Sequence, residues 1–277
     1  MRVFICGVRG STPSPGPEFV RYGGNTSCVV LAHDGQAPSL VLDAGTGLQR
    51  LTALLQNQPF RGSILLGHLH WDHTHGLPFF AAGDRADAVV TLLMPAQGDP
   101  ANVLTRAMSP PHFPTKPSDL RGRWRFLGIQ EGPRQVEGFE VVAREIPHKG
   151  GLTYGYRITG AGATVAYLSD HSPIAFGPGP TGFGAYHPTA LALARAADLL
   201  IHDAQLTGDE FASLAPSGHS AIEYAVGLAE AAGAKRLLLF HHDPARTDDQ
   251  IDAIVAAHRG GPIPVDAAAE VTVIELG

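Results

Sequence analysis

The chain has 277 residues, 44% of them hydrophobic and 17% charged, with a formal net charge of −6. This is enough apolar material for a packed core in one large domain, and it excludes a disordered chain. The acidic balance argues against a surface built to grip long nucleic acid, which is usually basic. The opening apolar run is broken at Gly7 and Arg9, too short for a signal peptide or a membrane span. With Cys6 and Cys28 as the only cysteines, the expected setting is a reducing cytoplasm, with no disulfide and no membrane contact.

Residues 2–6 are expected to form a first strand, followed by the turn-rich loop Gly7-Val-Arg-Gly-Ser-Thr-Pro. Strands at 27–33 and 39–43 come next. Ala44-Gly-Thr-Gly then turns the chain into a helix near 46–57, with Thr46 as its N-cap. A strand at 63–67 and a buried strand at 88–94 follow. Residues 95–135 break this rhythm. They hold Pro95, Pro100, Pro110, Pro111, Pro114, Pro117 and Pro133 and a basic cluster at Arg121, Arg123 and Arg125. A stretch this long without strong periodicity reads as a lid or binding loop, or as a loose surface segment. As a lid it would cover the site with Phe113 and Trp124 as apolar contacts. Strands resume at 139–146, 154–159 and 163–168. Helix and strand then alternate: helix 187–197, strand 198–203, helix 219–233 stopped by Gly233, strand 235–240, helix 247–258 and strand 271–276. There is no low-complexity tract and no Gly/Ser linker. The pattern predicts one domain over 1–277, an α/β fold of two packed sheets with helices outside, carrying a Pro-rich, lid-like insertion around 99–135.

The most informative stretch is 63–76, Ser-Ile-Leu-Leu-Gly-His-Leu-His-Trp-Asp-His-Thr-His-Gly. A short apolar run that stops at a glycine reads as a buried strand ending there. The polar cluster then lies at the strand's C-terminal end, where open α/β sheets hold their ligands. Side chains two apart on extended chain face the same way, so His68 and His70 can grip one ion, with Asp72 and His73 just beyond and His75 after them. Imidazole with carboxylate suits zinc or a similar first-row ion. Left unpaired, such buried groups would each cost about 2–7 kcal/mol.

Four-fold coordination needs ligands from elsewhere. Three later apolar runs end the same way. Ile146-Pro-His offers His148, Val165-Ala-Tyr-Leu-Ser-Asp offers Asp170, and Leu237-Leu-Leu-Phe-His-His offers His241 or His242. His-x-His-x-Asp-His followed by these residues in this order resembles the metallo-β-lactamase superfamily over nearly the whole chain, nearest to its tRNase Z and small-phosphodiesterase branch. That resemblance implies an αββα sandwich and two divalent ions, zinc foremost and manganese as the alternative. His68, His70 and His148 would hold one ion, Asp72, His73 and a last histidine the other, and Asp170 would bridge. The family's strand-then-His pattern selects His241, with His242 one residue away in register.

Two further segments resemble the same branch. Asp198-Leu-Leu-Ile-His-Asp matches a strand ending in His-Asp, and Gly218-His-Ser matches an element whose histidine protonates the leaving oxygen. His219 would be that acid and Asp203 its orienting carboxylate, although Ala221 stands where the family has Thr. Two ions roughly 3.5–4 Å apart would share one hydroxide and hold a phosphate oxygen, with Asp72 orienting the attacking water. Arg9 and Asn25 are weaker candidates for phosphate contacts, since turn residues of this kind more often serve the loop itself. The interval from His148 to Asp170 is too short for the tRNA-gripping arm of tRNase Z enzymes. The expected function is therefore a phosphodiesterase of small cyclic or nucleotide diesters, without long nucleic acid as partner and with a homodimer left open. A thioester or lactone hydrolase, and a non-catalytic binder or carrier of the same fold, are the alternatives.

Overall fold

The computed structural model describes residues 1–277, the side chain of residue 176 excepted. The first part of the chain builds one sheet from β1 (Arg2–Gly7), β2 (Cys28–Ala32), β3 (Leu40–Leu42), β4 (Arg61–Leu65), β5 (Val89–Pro95) and β6 (Arg123–Ile129). It then crosses to a second sheet of β7 (Gly132–Val136), β8 (Phe139–Glu145), β9 (Tyr154–Gly160), β10 (Ala163–Leu168), β11 (Leu199–Asp203), β12 (Leu237–Phe240) and β13 (Val265–Ala267). β14 (Val273–Glu275) returns to the edge of the first, giving the orders β14-β1-β2-β3-β4-β5-β6 and β13-β12-β11-β10-β9-β8-β7. Both sheets are mixed. β3 to β6 run parallel in one and β10 to β13 in the other, and the remaining neighbours are antiparallel.

Strands such as β2, β10 and β12 are buried along their whole length because each sheet is covered on both faces. The inner faces meet in a core of Leu31, Leu42 and Leu65 against Tyr156, Val165 and Phe240. The outer face of the first sheet is covered by α1 (Gln49–Leu54) and α2 (Pro100–Ala107). That of the second is covered by α3 (Pro188–Ala194), α4 (Gly208–Leu214) and α5 (Ile222–Ala232), while α6 (Asp248–Ala257) lies against β13. The architecture is the expected αββα sandwich. Among the described residues no helix is long and apolar enough to cross a membrane.

Several local expectations need correction. Thr46 opens a 3-10 turn and not the helix proper; its hydroxyl accepts the Thr26 N–H at 2.9 Å and caps nothing. The segment 99–135 is far more regular than its prolines suggest, containing α2, β6 and the start of β7. Its first part adjoins the metal loop, and there the Phe113 ring meets Phe79 edge-on at 5.6 Å. Trp124 instead packs on the outer face of the first sheet, stacked on Phe126 and donating its indole N–H to the Gly83 carbonyl. The basic cluster is engaged locally as well: Arg121 pairs with Asp84 and Arg125 donates to Thr91. α4 and β13 were not anticipated.

Candidate metal centre

After β4 the Gly67 N–H donates to Asp43 Oδ1 at 2.7 Å, which fixes where the next residues leave the sheet. His68 and His70 follow, and a 3-10 turn over Trp71–His73 brings Asp72 and His73 back toward the strand ends. The turn approaches this closely because residue 45 is glycine; a Cβ there would lie 2.2 Å from the Asp72 carbonyl oxygen. His148 comes from the loop after β8, Asp170 from the end of β10 and His241 from the end of β12. Three groups of candidate ligand atoms result, each within 4.8 Å of one another: His68, His70, His148 and Asp170; Asp72, His73, His241 and Asp170; and Asp203, His219 and His241, of which the first two share Asp170. Asp170 Oδ2 is 3.7 Å from His68 Nε2 and 3.4 Å from His148 Nε2. Its Oδ1 is 3.0 Å from His73 Nε2 and 3.2 Å from His241 Nε2. Each oxygen of one carboxylate thus faces a different trio, which is the disposition of a bridging ligand.

The residues fit metal ions on their own chemistry. His68 Nε2, His73 Nε2 and Asp170 Oδ1 are buried with no hydrogen-bond partner. An orphaned buried polar atom costs about 1–3 kcal/mol, and ions held in the two groups that share Asp170 would between them satisfy all three. Burial, followed by the neighbouring imidazoles, holds His68 and His70 below the usual histidine range, and burial does the same for His148. These rings are therefore neutral and able to donate a lone pair. Burial alone would raise the carboxyls of Asp72 and Asp170, but the facing His73 and His241 more than offset it and keep both ionised.

Support comes from behind. Asp43, fully buried, accepts from His73 Nδ1 at 2.8 Å and from the Tyr167 hydroxyl at 2.7 Å. Gln205 Oε1 lies 3.1 Å from His241 Nδ1, and the Ser11 N–H donates to Asp72 Oδ2 at 2.7 Å. His148 Nδ1 donates to the Gly218 carbonyl at 2.8 Å. Ser11, Asp43 and His241 have φ of 61°, 59° and 58°, a left-handed backbone that non-glycine residues adopt at a cost and that clusters at functional sites. Asp43, Gln205 and Ser11 are not among the site residues expected from the sequence. For Asp43 a signal existed, since it closes an apolar run just as Asp170 does.

His219 lies just before α5, its ring 5.3 Å from that of His148 and 5.0 Å from that of His241. Its Nδ1 is 2.9 Å from Asp203 Oδ2, and Asp203 also accepts the backbone N–H groups of His171 and Gln205. Burial would lower the His219 imidazolium; the Asp203 carboxylate outweighs it and pushes the ring up to about 9. Gly218, at φ 104°, lets the chain turn here, and a Cβ on it would meet His148 Nδ1 at 3.2 Å.

Four other candidates lie elsewhere. His242 is turned away, its Nε2 donating to the Ala268 carbonyl, so β12 presents His241 to the centre. Arg9 is completely buried and spans the carbonyls of Gly23, Asp243 and Arg246, which makes it a structural tie and not a phosphate contact. Asn25 is likewise held through its amide and backbone by Glu270. His75 is exposed and stacks on Trp71. The centre opens into a cavity of about 430 Å³ lined by Ser11, Leu69, His70, Trp71, Asp72, Asp170 and His219.

A family model described as "Beta-lactamase superfamily domain" matches residues 39–242, which includes every candidate ligand. A ribonuclease Z of Salinibacter ruber (strain DSM 13855 / M31) is 27% identical over 256 residues, covering 76% of this chain and 78% of that protein. Among solved structures, the metallo-beta-lactamase fold protein YhfI from Bacillus subtilis superposes with a TM-score of 0.74 at 19% identity, covering 99% of both chains. A diphosphatase from the PhnP family gives 0.69 at 17% identity, covering 100% of this chain and 98% of that one. With the fold, the ordered strand-end ligands and the family model all in agreement, the chain belongs to the beta-lactamase superfamily.

Proposed function

We propose that the protein is a dinuclear metal-dependent hydrolase of small phosphodiesters. The observation that carries this reading is the Asp170 carboxylate, one oxygen toward each histidine-rich trio, with the His219–Asp203 pair directly beside it. His68, His70, His148 and Asp170 would hold one ion, and Asp72, His73, His241 and Asp170 the other. When bound, two divalent ions supply an activated water and neutralise charge on a phosphoryl group. Asp72 has Oδ2 fixed by the Ser11 N–H, so its Oδ1 serves to orient the attacking water and accept its proton. His219, held at Nδ1 by Asp203, presents its Nε2 proton to the departing alkoxide. Asp203 fixes that tautomer and stabilises the charged ring.

The net charge of −6 and the short His148-to-Asp170 interval, which β9 and β10 almost fill, support a small substrate. The relatedness to a ribonuclease Z favours a second reading, cleavage of an RNA phosphodiester. The test is a hydrolysis panel on metal-replete protein: bis-p-nitrophenyl phosphate, cyclic nucleotides, a precursor-tRNA transcript, a lactone and a thioester. Turnover of the small diesters, with two ions per chain by elemental analysis, is expected. Faster cleavage of the transcript would favour the second reading, and a preference for the thioester or lactone would overturn both.

A further inference from the structure

A second cavity, of about 300 Å³, adjoins the metal centre and has no part in holding ions. One wall is the metal loop itself: Leu69 lies between His68 and His70 and lines both cavities, and Thr74 and His75 follow His73. The opposite wall is α2 and the residues after it, with Leu104 and Met108 turned inward. At one end Phe79 and Phe113, one from each wall, meet at an interplanar angle of 85°. No Lys, Arg, Asp or Glu lines the space, so it is unsuited to a phosphate. It is suited to an apolar group joined to one.

From this geometry we propose that the cavity is the subsite for one planar heteroaromatic group, a nucleobase, of the phosphodiester whose phosphate occupies the metal centre. The proposal rests on the phosphodiesterase reading above. Size and shape limit the occupant. At about 300 Å³ the cavity is at the lower end of ligand pockets, which holds one ring system and not a polynucleotide. The Phe79 and Phe113 rings, set edge to face, close this end with aromatic surface, which favours a flat π-system over an alkyl chain. Polar edges are available at the same time. The Thr74 hydroxyl spends its proton on the His70 carbonyl at 3.1 Å and keeps lone pairs to accept with. The His75 ring is held by stacking on Trp71 at 5.4 Å, and His112 stands on the opposite wall. Because the same loop supplies the ligands and the wall, a base seated here stays tethered to a phosphate over His70.

The test compares two diesters with one leaving group, thymidine 5′-p-nitrophenyl phosphate and methyl p-nitrophenyl phosphate. The thymidyl ester should be favoured in kcat/KM by at least about tenfold, the worth of about 1.4 kcal/mol of added apolar contact. Ala107→Trp fills the space from an exposed position on α2, and Phe113→Ala removes one wall. Both should bring the preference close to one, with metal content and melting temperature as controls of the fold. Equal kcat/KM for the two esters, or a preference untouched by both variants, would overturn the subsite. If the two-ion protein turns over neither ester, the phosphodiesterase reading fails, and calorimetry with thymidine 5′-monophosphate decides the subsite. Binding that Ala107→Trp abolishes would uphold it; no binding, or binding unaffected by that variant, would remove it.

Discussion

The two trios at the centre are built to different standards. In the His73 trio every ligand is held from behind: His73 by Asp43, His241 by Gln205 and Asp72 by the Ser11 N–H. In the His68 trio, among the described residues, the only such hold is the Gly218 carbonyl behind His148, and His70 stands partly exposed in the open cavity. Partners behind the ligands fix ring orientation and basicity, so a preorganised position binds its ion more tightly. On the dinuclear reading, the tighter ion would be the one held with His73 and the more exchangeable ion the one held with His68.

The largest effect should follow from removing what the trios share. Asp170→Ala is expected to lose both ions and bring hydrolysis to background, read by elemental analysis and steady-state rate. A variant retaining one ion per chain would assign Asp170 to a single trio. Next comes the group between the trios. His219→Ala should retain both ions and lose about 10²–10⁴-fold on diesters with a poor alkoxide leaving group, but much less on a nitrophenyl ester. Equal losses on both would make His219 a positioning residue. The third variant acts on one trio only. Asp43→Asn should weaken one ion by roughly 10–100-fold in chelator competition and leave the other as it was. If both ions weaken together, the asymmetry described here is wrong. Smallest is Gln205→Ala, a neutral partner on the same trio, which should move the same ion in the same direction by less than Asp43→Asn. A Gln205→Ala effect on the other ion would point to the same failure.

What the sequence disclosed follows from where each signal lies. His68, His70, Asp72, His73, His148 and Asp170 were legible because each closes or follows an apolar run, and burying it unpaired would be costly. The apolar run alone does not separate His241 from His242, since adjacent residues differ only in which way the chain turns at the end of β12; the resemblance selects His241, and His242 is turned to the Ala268 carbonyl. Asp43 was passed over because its meaning lies in partners far along the chain, His73 and Tyr167. β6 was hidden by its own edge: Arg123-Trp-Arg-Phe alternates with period two, but charged residues and nearby prolines mask an edge strand covered on one side. α4 carried a readable signature, Thr207 and Glu210 forming a capping box, yet it is short and follows a strand without a gap long enough to attract notice.

The distribution of the ligands along the chain also has a consequence for how the molecule is made. From His68 to His241 is 173 residues, and the donors come from both sheets. No fragment ending before β12 contains a complete pair of trios, so ion capture waits on the docking of one sheet against the other. Such long-range closure is slow and entropically costly compared with local helix formation. Once formed, an ion that binds only the assembled state adds its binding free energy to the joint between the sheets. Refolding after denaturation should therefore regain sheet structure in the absence of metal, while unfolding slows as zinc is added.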